Sequence, residues 1–256
     1  MSQATGNVTG NSSGKVTSNL APDGCFEITI DNQEQGNLLT FEMTTAFLEA
    51  ISDLPDGTKV VIIRGAGADF CAGRTSPMPD PATKPTARVI RERVADPVLD
   101  FYEALRAVPV PVIAAVCGRA FGVGCALAGL ADIVIADETA KFVVPELERD
   151  IPPLLVMTAL ADRIGRAALA RLVLSREAFS ASAAEKLGLV SETCTAGEMD
   201  ARIAFYRQKL AANSSVSLSA VKAFLNLSPE MSFATRRAYA ADSIATAVSA
   251  RFGQPA

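Results

Sequence analysis

The chain opens on polar residues and changes character at Cys25, where Phe26-Glu27-Ile28-Thr29-Ile30 alternates apolar and polar side chains with a period of two. That alternation predicts a half-buried strand, followed by a loop over Asn32–Gly36. From Leu38 to Leu54 the apolar residues Phe41, Phe47, Leu48, Ile51 and Leu54 fall near helical spacing, and Asp56-Gly57 supplies the turn that ends the helix. Val60-Val61-Ile62-Ile63 is an unbroken apolar run, the mark of a strand covered on both faces, and Gly65-Ala66-Gly67 follows at once. Four prolines between Thr75 and Thr86 exclude a long regular element and predict a mobile surface loop, expected to shape a pocket. A helix is expected over Arg88–Arg106. Val112–Val116 reads as a second buried strand, and the glycines of Gly118–Gly124 stand between it and a helix at Cys125–Leu130.

Ile133–Ile135 and Lys141–Val143 read as two further strands. Beyond Pro153 the pattern is helical, with segments at 154–164, 166–174, 181–187, 199–212, 217–225 and 233–248. Strands joined by crossover helices, with further helices after them, predict an α/β core bearing a helical C-terminal layer. Residues 1–24 are expected to form a flexible N-terminal segment, 25–195 the core, and 196–256 the helical region.

Composition narrows the chemistry. The 256 residues include 28 acids, 24 bases and no histidine, which removes Ser-His-Asp and Cys-His triads and the commonest metal ligand. The five cysteines, at 25, 71, 117, 125 and 194, contain no C-x-x-C pair, so no metal site is expected; their scatter suits reduced thiols in a cytoplasm. The net charge of −4 supplies no basic patch for nucleic acid. The most apolar stretch, Ala107–Ala131, is cut at Arg119 into two runs of twelve, short of the roughly 20 residues that span a bilayer. The N-terminus has no apolar h-region and no Arg-rich amphipathic pattern, so neither signal nor transit peptide is expected.

Several short motifs match out of context. Gly10-Asn11-Ser12-Ser13-Gly14 fits a nucleophile elbow, but no strand precedes it and no histidine can serve it. Gly122-Val123-Gly124 lacks the third glycine of a dinucleotide fingerprint, since Leu127 stands there. Ser219-Ala220-Val221-Lys222 lies in a helix-like run without the partner motifs of its class.

Two glycine-rich turns remain, each leaving a buried strand, with Glu146 the nearest carboxylate after the second. Such turns expose backbone N–H groups at helix starts, where the dipole favours negative charge. Two of them aimed at one point would hold a developing oxyanion. Glu146, among Phe142, Val143, Val144 and Leu147, is in apolar surroundings that raise a carboxyl pKa and suit it to proton transfer; a solvated loop acid is the alternative.

Phe70-Cys71-Ala72-Gly73, Pro111–Gly118 running into Gly122-Val123-Gly124-Cys125, Ala131–Ala136 and Phe142–Glu146 together resemble the crotonase (enoyl-CoA hydratase/isomerase) superfamily in order and spacing. The likeness extends through Gly165-Arg166-Ala167-Ala168, Ala183–Val190 and Ala220-Val221-Lys222, and covers roughly residues 25–250. It implies a spiral of ββα repeats with a helical C-terminal trimerisation region, assembled as a homotrimer or hexamer. It implies an acyl-CoA thioester as substrate, as in fatty acid metabolism, with no cofactor beyond that thioester and no metal, nucleic acid or membrane partner.

Carried over by position, the backbone N–H groups of Ala72 and Val123 would grip the thioester oxygen. Phe70, Cys71, Gly73, Gly122 and Ala126 would line the substrate site, and Glu146 would be one of two family glutamates. The other falls on Ala126, and Thr75 stands where the family often has an aspartate. A single carboxylate suits double-bond isomerisation, in which one group takes a proton and returns it two carbons on. Hydration would need a replacement acid, Asp150 or Glu148, and a non-catalytic acyl-CoA-binding protein is the third reading.

Overall fold

The computed structural model describes residues 14–75, 80–250 and 252–253. The chain begins with β1 (Lys15–Leu20) and β2 (Cys25–Asp31), then α1 (Phe41–Ser52), β3 (Val60–Gly65), α2 (Ala87–Ile90) and α3 (Asp96–Arg106). It continues through β4 (Val112–Val116), β5 (Arg119–Phe121), α4 (Val123–Leu130), β6 (Ile133–Asp137) and β7 (Lys141–Val143). The remainder is α5 (Leu154–Leu160), α6 (Arg166–Ser175), β8 (Phe179–Ser180), α7 (Ala181–Lys186), β9 (Glu192–Cys194), α8 (Met199–Ala211), α9 (Ser215–Leu227) and α10 (Phe233–Ser249).

A six-stranded sheet runs β1-β2-β3-β4-β6-β9, parallel throughout except where β1 pairs antiparallel with β2. A smaller sheet, β5-β7-β8, stands at the ends of β4 and β6. β3 and β4 are apolar along nearly their whole length because both faces are covered. On one face lie Phe47, Phe101 and the α4 residues Leu127 and Ala128; on the other, Met199 and Ile203 of α8 pack on Ile62, Ile113 and Ile135. α8, expected with the C-terminal layer, therefore closes the core sheet.

Helix starts follow their caps. Thr40 accepts from the Met43 N–H and sets α1 to begin at Phe41 rather than Leu38, and Ser180, Ser214 and Ser232 do the same for α7, α9 and α10. The helix expected over 88–106 is interrupted by π turns at Arg91–Ala95, just before Pro97, which has no N–H to donate to the preceding turn.

The expected flexible segment 1–24 needs correction over its second half, where Lys15–Leu20 pairs residue for residue with Asp31–Phe26. Residues 1–13 of that segment lie outside those described, as do residues 76–79 of the Pro-rich stretch; Pro81–Thr83 there forms one short 3-10 turn. Among the described residues no helix is long and apolar enough to cross a membrane.

The C-terminal helices are fastened to the core by one buried ion pair. Lys222 on α9, 2% exposed, reaches both carboxylate oxygens of Asp132 at 2.9 Å, and Asp132 also accepts the N–H of Val112 at 2.7 Å where β4 begins. Lys222→Met leaves that carboxylate buried without its counter-charge, and such a loss costs about 3–5 kcal/mol. Urea unfolding should show a midpoint lower by that free energy divided by the slope, with the slope itself unchanged.

Candidate active site

The segment after β3 is not a strand, yet it is hydrogen-bonded on both flanks. On one side the Cys71 N–H donates to the Arg119 carbonyl at 2.8 Å and the Phe121 N–H donates to the Cys71 carbonyl at 3.0 Å, a parallel bridge between Cys71 and Ala120. On the other, the Leu39 N–H donates to the Gly73 carbonyl at 2.9 Å and the Thr75 N–H to the Leu39 carbonyl at 2.8 Å, a bridge between Leu39 and Arg74. Asn37, fully buried in the left-handed region at φ 60°, ties the approach together. Its side-chain amide donates to the carbonyls of Ala66 and Asp69, and its Oδ1 accepts the Asn32 N–H at 2.8 Å.

The second turn follows β5. Gly122 sits at φ 51°, donates its N–H to the Val143 carbonyl at 2.9 Å, and hands the chain to α4. A Cβ on Gly124 would stand 2.1 Å from the Cys71 carbonyl oxygen, so only glycine lets the first turn of α4 rest on the first glycine turn. The two turns thus face one cavity of about 290 Å³, lined by Ala72, Gly73 and Arg74 from the first and Gly122 and Val123 from the second.

One expected donor is corrected. The Ala72 N–H donates to the Gly36 carbonyl at 2.9 Å and is committed to the fold. Because a parallel pairing sends successive N–H groups to opposite sides, and the Thr75 N–H points at Leu39, the Arg74 N–H faces away from Leu39. Val123 opens α4, where a helical N–H has no partner within its own helix. Arg74 and Val123 therefore each bring to the cavity wall a main-chain N–H that no acceptor among the described residues takes up.

Glu146 follows β7 and Pro145 in a 3-10 turn and lines the same cavity. A Cβ on Gly122 would come within 2.9 Å of Glu146 Oε1, so the carboxyl lies directly over the glycine turn. Its other oxygen, Oε2, is buried with no hydrogen-bond partner among the described residues. Burial pushes the carboxyl above the ordinary glutamate range, against smaller opposing effects of its own main chain and Arg149.

Asp150 does not join it. The residue ends the 3-10 turn at φ 54°, its side chain is exposed, and it is absent from the cavity wall, while its neighbours Arg149 and Ile151 belong to that wall. Glu148 is likewise exposed and outside. Phe70, Cys71 and Ala126, expected to bind substrate, are fully buried and do not line the cavity; Gly73 and Gly122 do. Burial pushes the thiols of Cys71 and Cys125 up to about 12, so neither serves as a thiolate nucleophile.

Two lining groups had no signal in the motifs. The side chain of Arg74 enters the wall beside its own backbone, and Tyr102 reaches it from α3. Tyr102 belongs to the buried stripe Val98, Phe101, Tyr102, Leu105, and a hydroxyl at a core position of an amphipathic helix is the clue that was there to read.

Comparison with known proteins places this geometry. The sequence profile described as Enoyl-CoA hydratase/isomerase matches residues 21–255. The chain is 32% identical over 199 residues to the 2,3-dehydroadipyl-CoA hydratase of Escherichia coli (strain K12), covering 76% of this chain and 74% of that protein. It is 35% identical over 137 residues to the mitochondrial enoyl-CoA hydratase of Pongo abelii, a match spanning 53% of this chain and only 47% of that protein's length. A crystal structure of a putative enoyl-CoA hydratase from Streptomyces coelicolor A3(2), 26% identical, superposes with a TM-score of 0.81 over 96% of this chain and 91% of that one. The layered sheets described above are thus the crotonase fold, and the chain belongs to the enoyl-CoA hydratase/isomerase family.

Proposed function

We propose that this enzyme of the hydratase/isomerase type shifts the double bond of an enoyl-CoA thioester by moving one proton, with no cofactor beyond the thioester itself. The observation that carries the reading is the Glu146 carboxylate, buried at the cavity wall with one oxygen unpartnered and lying against the Gly122-Val123 turn. With the thioester oxygen at the N–H groups of Val123 and Arg74, Glu146 removes a proton from the carbon chain. The C–H electron pair passes through the conjugated system to the thioester oxygen, giving an enolate. The protonated carboxyl then returns its proton to the carbon two positions away, and the negative charge returns to Glu146. Oxyanion donors of this kind each supply on the order of 3 kcal/mol in the transition state.

Hydration is the second reading, favoured by the names of the relatives. It asks for a second group to activate water, and Glu146 is the single carboxylate among the described residues of the cavity wall. Ala126 offers only a methyl group at the position of the second family glutamate, and Asp150 and Glu148 point elsewhere. A chain that only binds acyl-CoA would have no use for a desolvated, unpaired carboxylate at the thioester, and the energetic cost of keeping one argues for chemistry.

We further infer a homotrimer or a hexamer built from it. Phe233 at 76%, Ile244 at 65% and Leu154 at 62% exposure leave large apolar side chains uncovered on α10 and α5, the kind of surface that a subunit interface buries. The five free thiols suit a reducing compartment, the cytoplasm.

Four outcomes follow from these readings. Glu146→Gln should lower kcat on 3-enoyl-CoA by about 10²- to 10⁴-fold, and full retained activity removes Glu146 as the base. Product formed in oxygen-18 water should carry no label if the double bond migrates, whereas labelled 3-hydroxyacyl-CoA establishes hydration. The pH behaviour has a definite sign. A carboxyl whose pKa is raised on folding binds more protons in the native state, so stability falls as pH rises from the ordinary glutamate range through the folded value. Glu146→Gln should accordingly melt above the wild type at neutral pH and level with it below about pH 4, where both states are protonated, while the acid limb of kcat/KM should lie above the ordinary glutamate range. Sedimentation equilibrium should give three or six times the chain mass of 26.8 kDa; a monomer at that mass refutes the assembly.

A further inference from the structure

Proton transfer at the thioester leaves two polar side chains of the cavity without employment. The hydroxyl of Tyr102, a residue 3% exposed, is buried with no hydrogen-bond partner. A buried hydroxyl left unpaired costs about 1–3 kcal/mol and implies a missing partner. Arg74 lines the same cavity with a half-buried guanidinium whose single hydrogen bond among the described residues is a long one, 3.4 Å from Nη2 to the Val94 carbonyl. Five N–H donors with one marginal acceptor are far from satisfied. No carboxylate among the described residues lies within ion-pair distance of Arg74.

Tyr102 and Arg74 line the same cavity as Glu146. Burial pushes the Tyr102 hydroxyl well above the usual phenol range, which keeps it a neutral donor at any physiological pH. Val94, Val98 and Leu38 give that cavity apolar walls, which suit a carbon chain, and the unpaired Arg74 and Tyr102 groups call for a planar anion with several acceptor lone pairs.

We propose that the acyl group carries a second carboxylate at its distal end, held by the Arg74 guanidinium and the Tyr102 hydroxyl, so that the enzyme takes the mono-CoA thioester of a dicarboxylic acid. The proposal rests on the acyl-CoA reading above and names its substrate class. A guanidinium fork matches a carboxylate edge with two parallel N–H···O bonds, and the hydroxyl supplies a third donor to the remaining lone pairs. A methyl-ended chain in the same place would leave the buried hydroxyl and the half-buried guanidinium unpaired, so the site selects against it as well as for the acid.

The test is calorimetric binding to the full-length protein of saturated thioesters paired by chain length, glutaryl-CoA against pentanoyl-CoA and adipoyl-CoA against hexanoyl-CoA, with free CoA as baseline. At least one dicarboxylic member should bind ten-fold or more tightly than its methyl-ended twin. Arg74→Met should bring that ratio to near one, and Tyr102→Phe, which keeps the ring, should reduce it several-fold. Ratios within two-fold for both wild-type pairs overturn the proposal while leaving the thioester chemistry intact. So does a ratio that survives Arg74→Met with both members weakened alike, which would give Arg74 to the CoA phosphates. If no thioester binds more tightly than free CoA, the acyl-CoA reading itself fails and takes this proposal with it.

Discussion

The backbone pairing of Cys71 with Ala120 is the constraint on which the site is built. It brings the turn after β3 beside the turn after β5, and it does so with main-chain hydrogen bonds that no substitution of side chains can redirect. Gly124 then allows α4 to settle on the Cys71 carbonyl, at a separation that any Cβ would forbid. Every N–H of a buried segment needs an acceptor, and around this bridge nearly all have one: Phe70 on Cys117, Cys71 on Arg119, Ala72 on Gly36, Thr75 on Leu39, Gly122 on Val143. The donors of Arg74 and Val123 border a cavity instead. The proposed oxyanion site is in this sense what remains after the fold has satisfied its own backbone.

Such a site is held open at a cost. A carboxyl with an unpaired buried oxygen, a phenol without a partner and a guanidinium with one long contact all stand around the same small volume. Each raises the free energy of the empty protein, and the compensation lies elsewhere: in β3 and β4 covered on both faces, in Asn37 bridging two loops, and in the Lys222–Asp132 pair that fastens α9 to the start of β4. Concentrating unsatisfied polarity in one cavity and satisfying it everywhere else is what distinguishes a binding site from a packing defect.

The strands that position the site were legible because burial on both faces leaves an unmistakable apolar run, as in Val60-Val61-Ile62-Ile63 and Val112–Val116. β1 was not, because Lys15–Leu20 lies at the sheet edge with mostly exposed or half-buried side chains and writes a polar pattern. Glu146 was readable from its apolar neighbours. The choice of Ala72 as donor failed for a reason the sequence does not display: neighbouring N–H groups face opposite ways, and Gly73 at φ 120° resets the alternation, so one residue of offset decides which is free. Asp150 failed likewise, since proximity along the chain says nothing of a left-handed residue that turns its carboxylate outward. Tyr102 and Arg74 belong to elements whose pattern announces only a core helix and a tight turn.

The placement of charge gives the clearest reason for a single carboxylate to suffice. In the proposed transfer the negative charge sits first on Glu146, partly desolvated and poorly bonded, and then on the thioester oxygen, at two N–H groups and the start of α4. The cavity holds one negative charge throughout, so its burial is not incurred afresh in the transition state. What changes is the company that the charge keeps. Raising the base above its ordinary range strengthens its pull on a carbon-bound proton, and the donors opposite lower the energy of the enolate, so both ends of the transfer act in the same direction. A second buried carboxylate at Ala126 would repel the first and raise the cost of that shared charge.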